Sequence, residues 1–398
     1  MRVWAHAGQE AERSTLESQV RRINEADFPF GVELTFIPER SYNAQVQAAA
    51  LAGDLPDVLE FDGPYLSNYV WQGHLRPLGS LLSQETRQEL IPSIVDQGTI
   101  EGKLYGVGTF DSGLGIYARK SLLTAAGVRI PNGPDDAWSA EEFKGALERL
   151  AKNDGDGAVL DLKLNYPPEW FTYAFSPLIQ SAGADLIERP GYERSGGILD
   201  SPRSVGALKQ FQSWLQKGYV DPNIDDAAFT QSRVALSWSG HWEFQRYHEA
   251  FDNDLIILPL PDLGHGSRTG QGSWVWGVTR NNPSNAAAAG FLEYLLLPEE
   301  ILAMTAANGA VPATYSAIEG SMRYREGGPL NQFARQLTEG FAFPRPQTPA
   351  YPVITSAFNQ AVQEIRNVKD VRTALSDAAA VIDQDIADNK GYPMPDEP

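Results

Sequence analysis

The first hundred residues alternate between short strand-like runs and stretches with helical patterning. RVWAHA, from Arg2, reads as a short strand. Ser14 and Glu17 then form an S-x-x-E capping box, which predicts a helix running to about Glu25. VELTFIP (32–38) is a second strand, NAQVQAAALAG (43–53) an Ala-rich helix stopped by Gly53, and DVLEF (57–61) a third strand. This strand–helix–strand order predicts an α/β fold with a parallel, right-handed sheet.

The pattern changes at GKLYGVGTFDSGLGIYAR (102–119), which is extended, punctuated by glycine and rich in aromatic residues. It reads as antiparallel strands or as a segment crossing between lobes. AWSAEEFKGALERLAK is a helix with Ser139 and Glu142 as its capping box. SPRSVGALKQFQSWLQKG (201–218) is amphipathic, with Val205, Leu208, Phe211 or Gln212, and Leu215 at helical spacing. DLIILPLP (254–261) and GSWVWGVTRN (272–281) read as strands on either side of a Gly-rich connector. NAAAAGFLEYLLL is a helix capped near Pro283–Ser284, and two more helices follow over roughly 355–367 and 370–388. The final KGYPMPDEP reads as a frayed end.

With 398 residues the chain is long enough for two or three lobes. Apolar residues at 42% and charged residues at 21% describe a folded globular protein, and no run approaches transmembrane length. A formal net charge of −19 repels phosphate backbones and anionic lipid, which argues against nucleic acid and membrane-surface partners. The absence of cysteine removes disulfides, thiolate nucleophiles and zinc-thiolate sites together. MRVWAHAGQE lacks the basic and apolar regions of a secretory leader, as expected of a cytoplasmic protein or of a mature form whose leader Met1 replaces.

Several chemistries have no motif here. The five histidines, His6, His74, His241, His248 and His265, contain no H-x-x-x-H or H-E-x-x-H pair. No phosphate-binding glycine loop and no G-x-S-x-G elbow occur. NDGDGAVLDLKLN (153–165) begins like a calcium loop at Asp154 and Asp156, but Ala158 and Asn165 stand where oxygen-rich ligands are needed, so an acidic surface turn is the reading. No metal and no cofactor are expected. A pair of facing carboxylates, as a glycosidase uses, stays open among 51 acidic residues.

Aromatic residues instead gather at strand ends and turns. EFDGPYLSNYVWQG carries Phe61, Asp62 and Tyr65; GTFDSG carries Phe110, Asp111 and Ser112. PPEWFTYAF carries Glu169, Trp170, Phe171, Tyr173 and Phe175, SGHW carries His241 and Trp242, and GSWVWG carries Trp274 and Trp276. Open α/β sheets bind ligands beyond the carboxyl ends of their strands, where several of these stretches fall. Aromatic faces stack on the C–H faces of sugar rings while carboxylates, amides and imidazoles bond the hydroxyls, so this mixture suits a neutral, polyhydroxylated ligand. Phe171, Phe175, Trp214 and Phe291 lie inside elements and read as core. Trp238 is balanced between core and ligand, and Trp242, after Gly240, is the better ligand-facing candidate. Trp274 and Trp276 share one face by strand alternation. His241, alone, reads as a hydrogen-bonded turn residue.

The ordered set AGDLPDVLEFDG, GHLRPLGSLL, IEGKLYGVGTF, KSLLTAAGVRIP with AWSAEEF, VALSWSGHW and NGAVPAT resembles family 1 extracellular solute-binding proteins, the maltose-binding-protein-like receptors of ABC importers. The similarity runs from Val3 to about Phe358. It implies a two-lobed, type II periplasmic-binding-protein-like α/β fold closing on a sugar. One lobe would hold 1–112 and 270–313, the other 113–269 and 314–398. It places Phe61, Asp62 and Tyr65 in a cleft loop, Asp111 and Ser112 at the first crossover, and Trp170 and Tyr173 in an aromatic loop. Trp242 then stacks on sugar, with Gly240 turning the chain so that its ring reaches the cleft. Trp274 stacks beside it, Glu169 joins Asp62 and Asp111 on the hydroxyls, and His241 and Arg345 complete the candidate site. The implied protein is an extracytoplasmic monomer without catalytic residues that hands a di- or oligosaccharide to membrane permease subunits. Two departures stand out: YARK (117–120) replaces the Tyr-Asn-Lys often found after the crossover strand, and the lipid-anchored cysteine is absent. A receptor for glycerol phosphoesters, with Arg268 and Arg345 as its cations, is the alternative, and a carbohydrate-active enzyme a third.

Overall fold

The structure, a computed structural model, describes residues 1–26, 28–166 and 168–394. Two mixed sheets organise it, each with apolar clusters packed on both of its faces. The first has strand order Glu33–Ile37, Arg2–His6, Val58–Asp62, Trp274–Val278, Gly106–Val107. Its first three strands are parallel, as the strand–helix–strand pattern predicts, and Trp274–Val278 returns antiparallel between Val58–Asp62 and Gly106–Val107. The second has order Leu255–Leu258, Leu114–Arg119, Leu236–Gly240, Leu160–Asp161. There Leu114–Arg119 runs antiparallel to both neighbours, while Leu236–Gly240 and Leu160–Asp161 are parallel.

Short crossover strands join the lobes. Phe110–Asp111 pairs antiparallel with Val311–Pro312, Ser112 bridges to Gly272, and Thr269–Gln271 pairs parallel with Ala342–Pro344. The extended character of 102–119 thus serves both expected uses, since it supplies a crossover and then the central strand of the second sheet.

Local chemistry sets most element ends. The predicted capping box is present at Ala140–Lys152: Ser139 Oγ accepts from the Glu142 N–H at 3.2 Å and Glu142 Oε2 accepts from the Ser139 N–H at 2.9 Å. Tyr42–Ala52 stops at Gly53, whose φ of 67° is left-handed. Ser201 and Ser284 cap Pro202–Gln216 and Asn285–Leu295. In Pro202–Gln216 the buried stripe is Val205, Leu208, Phe211 and Trp214, with Leu215 only half-buried.

The first helix departs from expectation. It spans Glu10–Glu25, so Ser14 lies inside it and caps nothing. Glu10 and Glu12 fill its first turn, where carboxylates favour the helix dipole, and this strong start overrides the later S-x-x-E signal. The tail differs too. Residues 395–398 of KGYPMPDEP lie outside the described residues, but the stretch before them is docked, because the Trp71 indole N–H donates to the Pro393 carbonyl at 3.0 Å and its ring packs edge-on to Tyr392.

Phe171, Phe175, Trp214 and Phe291 are buried in the apolar clusters, as predicted. Trp238 joins them. It is fully buried beneath the second sheet beside Phe175, at 6.4 Å between rings. Among the described residues no helix is long and apolar enough to cross a membrane.

Candidate functional site

Strand ends from both sheets meet at one cavity of about 470 Å³, a size suited to a small ligand. On the first lobe, His6 and Asp62 end two neighbouring parallel strands, and Trp274 opens the antiparallel strand paired with Asp62. On the second, Gly240 ends the strand that leads into His241 and Trp242, and Asp161 ends the strand that leads toward Tyr166, Glu169 and Trp170.

Ten predicted residues line this cavity: Asp62, Tyr65, Ser112, Glu169, Trp170, Tyr173, His241, Trp242, Trp274 and Arg345. Phe61 and Asp111 do not. Strand alternation turns Asp62 to the cavity and Phe61 into the core, where its fully buried ring meets Tyr69 at 5.1 Å. Asp111 lies fully buried in the crossover, accepting from the Ser112 N–H at 2.7 Å and from Gln271 Nε2 at 3.4 Å. Burial pushes its carboxyl up to about 6 against these bonds, and it holds the crossover rather than facing a ligand.

The second-lobe wall is aromatic. Trp170 stands edge-on to Trp242 at 5.9 Å, and Tyr173 lies tilted to Trp242 at 6.3 Å. Trp170 and Tyr173 are almost fully buried, whereas Trp242 is half-buried and keeps apolar surface in the cavity. Gly240 does not turn the chain here: its φ of −103° is ordinary extended backbone. Its role is close approach, since an added Cβ would sit 2.1 Å from the Trp242 ring. His241 is buried, and its Nδ1 bonds the Asn308 carbonyl at 3.0 Å, consistent with the turn-residue reading. Burial lowers its pKa to about 4, so the ring is neutral and donates through Nδ1–H.

A salt-bridged triad joins the two lobes. Arg345 donates to both oxygens of Asp62 at 2.8 and 2.9 Å and to Glu169 at 2.6 Å, beneath the Tyr173 ring. Gly272 makes room for it, because a Cβ there would lie 2.3 Å from Nη2. Glu169 also accepts from Tyr351 and from Thr355, the latter at 2.7 Å. Burial raises the Glu169 pKa, Arg345 opposing and Asp62 adding to the shift. Arg345 is 5% exposed and its terminal nitrogens are held by carboxylates, so it offers no free cation to a ligand. Arg268, the other proposed cation, donates to the Gly340 carbonyl and is absent from the cavity wall.

The sequence reading missed a second charged group. The His6 ring stacks on Trp274 at 3.8 Å, 5° from parallel. Its Nδ1 lies 2.7 Å from Glu60 and its Nε2 3.5 Å from Glu12. Glu12 also accepts from Asn308 at 3.1 Å, linking the group to the segment that holds His241. His6, Glu12, Glu39, Asn43, Tyr166 and Asn308 therefore join the cavity wall. The strand-end rule used for Asp62 and Tyr65 would have found the residues after the first two strands had it been applied there. Trp274 and Trp276 share a side of the sheet, but Trp276 packs into the core against Phe291 at 5.4 Å, and Trp274, at the strand's start, emerges at the cleft.

Behind the aromatic wall, Lys163 is fully buried among Asp161, Asp226 and Glu243, and Tyr166 donates to Glu243 at 2.7 Å. Asp154 accepts from the backbone N–H groups of Asp156 and Gly157, forming a surface turn. Among the described residues no three His, Asp or Glu side chains are arranged to hold a metal.

Two α/β lobes, crossover strands between them and a deep interlobe cleft define a type II periplasmic binding protein. Residues 19–324 match the family model of bacterial extracellular solute-binding proteins, and the chain belongs to that family, one of receptors and not of enzymes. It is 23% identical to the maltodextrin-binding protein MdxE of Bacillus subtilis, over 88% of this chain and 83% of that one. Its fold is similar to that of the GacH receptor of Streptomyces glaucescens, solved unliganded and with acarbose, at TM-score 0.81, 20% identity and 98% coverage of both chains. The cyclic α-maltosyl-1,6-maltose binding protein of Arthrobacter globiformis is also similar, at TM-score 0.79 and 21% identity over 96% of this chain and 98% of that one.

Proposed function

We propose that this protein is an extracytoplasmic receptor that captures a di- or oligosaccharide between its lobes and delivers it to an ABC permease. The observation that carries this reading is the pairing of walls: Trp170, Tyr173 and Trp242 on one lobe face carboxylates and amides on the other across about 470 Å³. Ring faces have apolar partners there, and hydroxyls have Asp62, Glu12, Asn43 and Asn308 within the same wall. The relatives named for maltodextrin and cyclic maltosyl-maltose agree with such a ligand. The lobes are taken as 1–112 with 270–313 and 113–269 with 314–398, moving as hinged bodies in a monomer. Binding and release need no covalent step.

The phosphoester alternative has less support, since Arg345 is neutralised by Asp62 and Glu169, and His6 by Glu12 and Glu60. The test is thermal unfolding against mono-, di- and oligosaccharides together with glycerol phosphodiesters. A ligand at about 100 times its Kd adds about 2.7 kcal/mol and raises the midpoint by a few degrees. A rise with one sugar, recovered intact, is the expected outcome. A rise with phosphodiesters alone, or turnover of the sugar, would overturn the reading.

A further inference from the structure

The charges around the cavity do not balance. Among the described residues two cationic groups, His6 and Arg345, stand on its wall, and each is already outnumbered. His6 lies between Glu60 and Glu12. Arg345 lies between Asp62 and Glu169. Glu39 lines the same cavity and is exposed, so it adds a further carboxylate to that wall. Four carboxylates on the wall (Glu12, Glu39, Asp62 and Glu169) and Glu60 behind His6 thus stand against two cations, and the protein's overall charge of −19 adds to the same sign.

A net negative cavity between low-dielectric walls favours positive charge, and aromatic faces add to that preference. A cation over an indole or phenol ring is attracted to the ring's quadrupole. Trp242, the half-buried ring of the second-lobe wall, supplies such a face. A neutral sugar uses the aromatic faces and the hydroxyl partners but leaves the excess charge uncompensated. An amine-bearing sugar uses those same contacts and also gives the excess charge a partner, and the desolvation of its ammonium is offset by a carboxylate.

We propose that the cleft takes an amine-bearing saccharide in preference to its neutral counterpart, with Glu39 and the Glu12 side of the first lobe receiving the ammonium group. This rests on the sugar-receptor reading above and narrows its ligand class. An ammonium on a sugar keeps the ring faces and most hydroxyls, so the two ligands compete for the same walls and differ only in charge.

The experiment is isothermal titration calorimetry of the intact protein at neutral pH and low salt with matched pairs. One pair is maltotetraose and its 6-amino-6-deoxy derivative at the non-reducing end. The other is cellotriose and the glucosamine trimer. In at least one pair the amine binds about ten-fold tighter, the scale of one desolvated cation–π or charge contact. Glu39→Gln brings that ratio down toward one, which a merely steric preference would not do. Equal or weaker binding of the amines, with the neutral sugars bound, overturns this inference and leaves the receptor reading standing. Binding of neither member of either pair, with no sugar of the unfolding panel raising the midpoint, overturns both.

Discussion

Gly240 has a backbone that any residue can adopt, yet it leaves no space for a Cβ, because the Trp242 ring lies against it. The ring's place in the cleft therefore depends on a missing side chain two residues earlier. Trp242→Ala should weaken sugar binding by about 1–3 kcal/mol through lost apolar contact. Gly240→Ala should weaken it too, although it removes no contacting atom, because the new methyl pushes the ring off its seat. Calorimetry on both variants with the sugar found by unfolding shifts checks this. Full affinity in Gly240→Ala would mean that the ring's position does not matter to the ligand. At this scale Trp242 was legible as a candidate from its Ser-Gly-His-Trp context, but the role of Gly240 was not, since close approach of two groups is a property of coordinates.

Arg345 shows what elements decide. Its position follows from Ala342–Pro344 pairing with Thr269–Gln271, while Asp62 ends one strand and Glu169 begins a helix of the other lobe. Three elements far apart in sequence deliver one ion triad. Removing the cation leaves two carboxylates facing each other with little water, so Arg345→Met should destabilise the protein by about 3–5 kcal/mol in urea unfolding. A loss below about 1 kcal/mol would show the triad to be solvated and weak. The helices and strands themselves were largely legible. Ser139–Glu142 and Gly53 announce their ends by local chemistry, whereas Ser14–Glu17 misled because a one-dimensional capping signal carries no information about competing starts.

At the scale of the whole molecule, the His6 cluster ties stability to pH. Burial opposes the charge on His6, but Glu60 and Glu12 outweigh it and hold its pKa well above 6.5. Its stabilisation is complete below about pH 6.5 and is lost as pH rises through the folded value. Glu12 behaves oppositely: against burial, His6 and Asn308 lower its pKa from 4.5 to about 2, so its contribution is complete above 4.5 and lost as pH falls toward 2. The stability deficit of His6→Gln, measured by urea unfolding across pH, should be largest between about 4.5 and 6.5 and shrink on both sides. A deficit independent of pH would mean that His6 acts through packing on Trp274 alone. Strand ends point to His6, and Trp274 was a candidate, but their pairing with Glu12 and Glu60 was not legible, because residues 6, 12, 60 and 274 share no spacing motif and meet only when strand ends align.

By itself the sequence determined the alternation of strands and helices, the elements that carry aromatic residues at their ends, the sign of the charge and the chemistries that are missing. Those properties are set by near neighbours and by composition. Only the tertiary structure decided that Phe61 and Asp111 turn away from the cavity, that Trp238 is core, that Arg345 is neutralised and that His6 faces Trp274. Each of these depends on which residues of distant segments come within a few ångströms. Two sheets joined by crossover strands set those distances, and no local pattern encodes them.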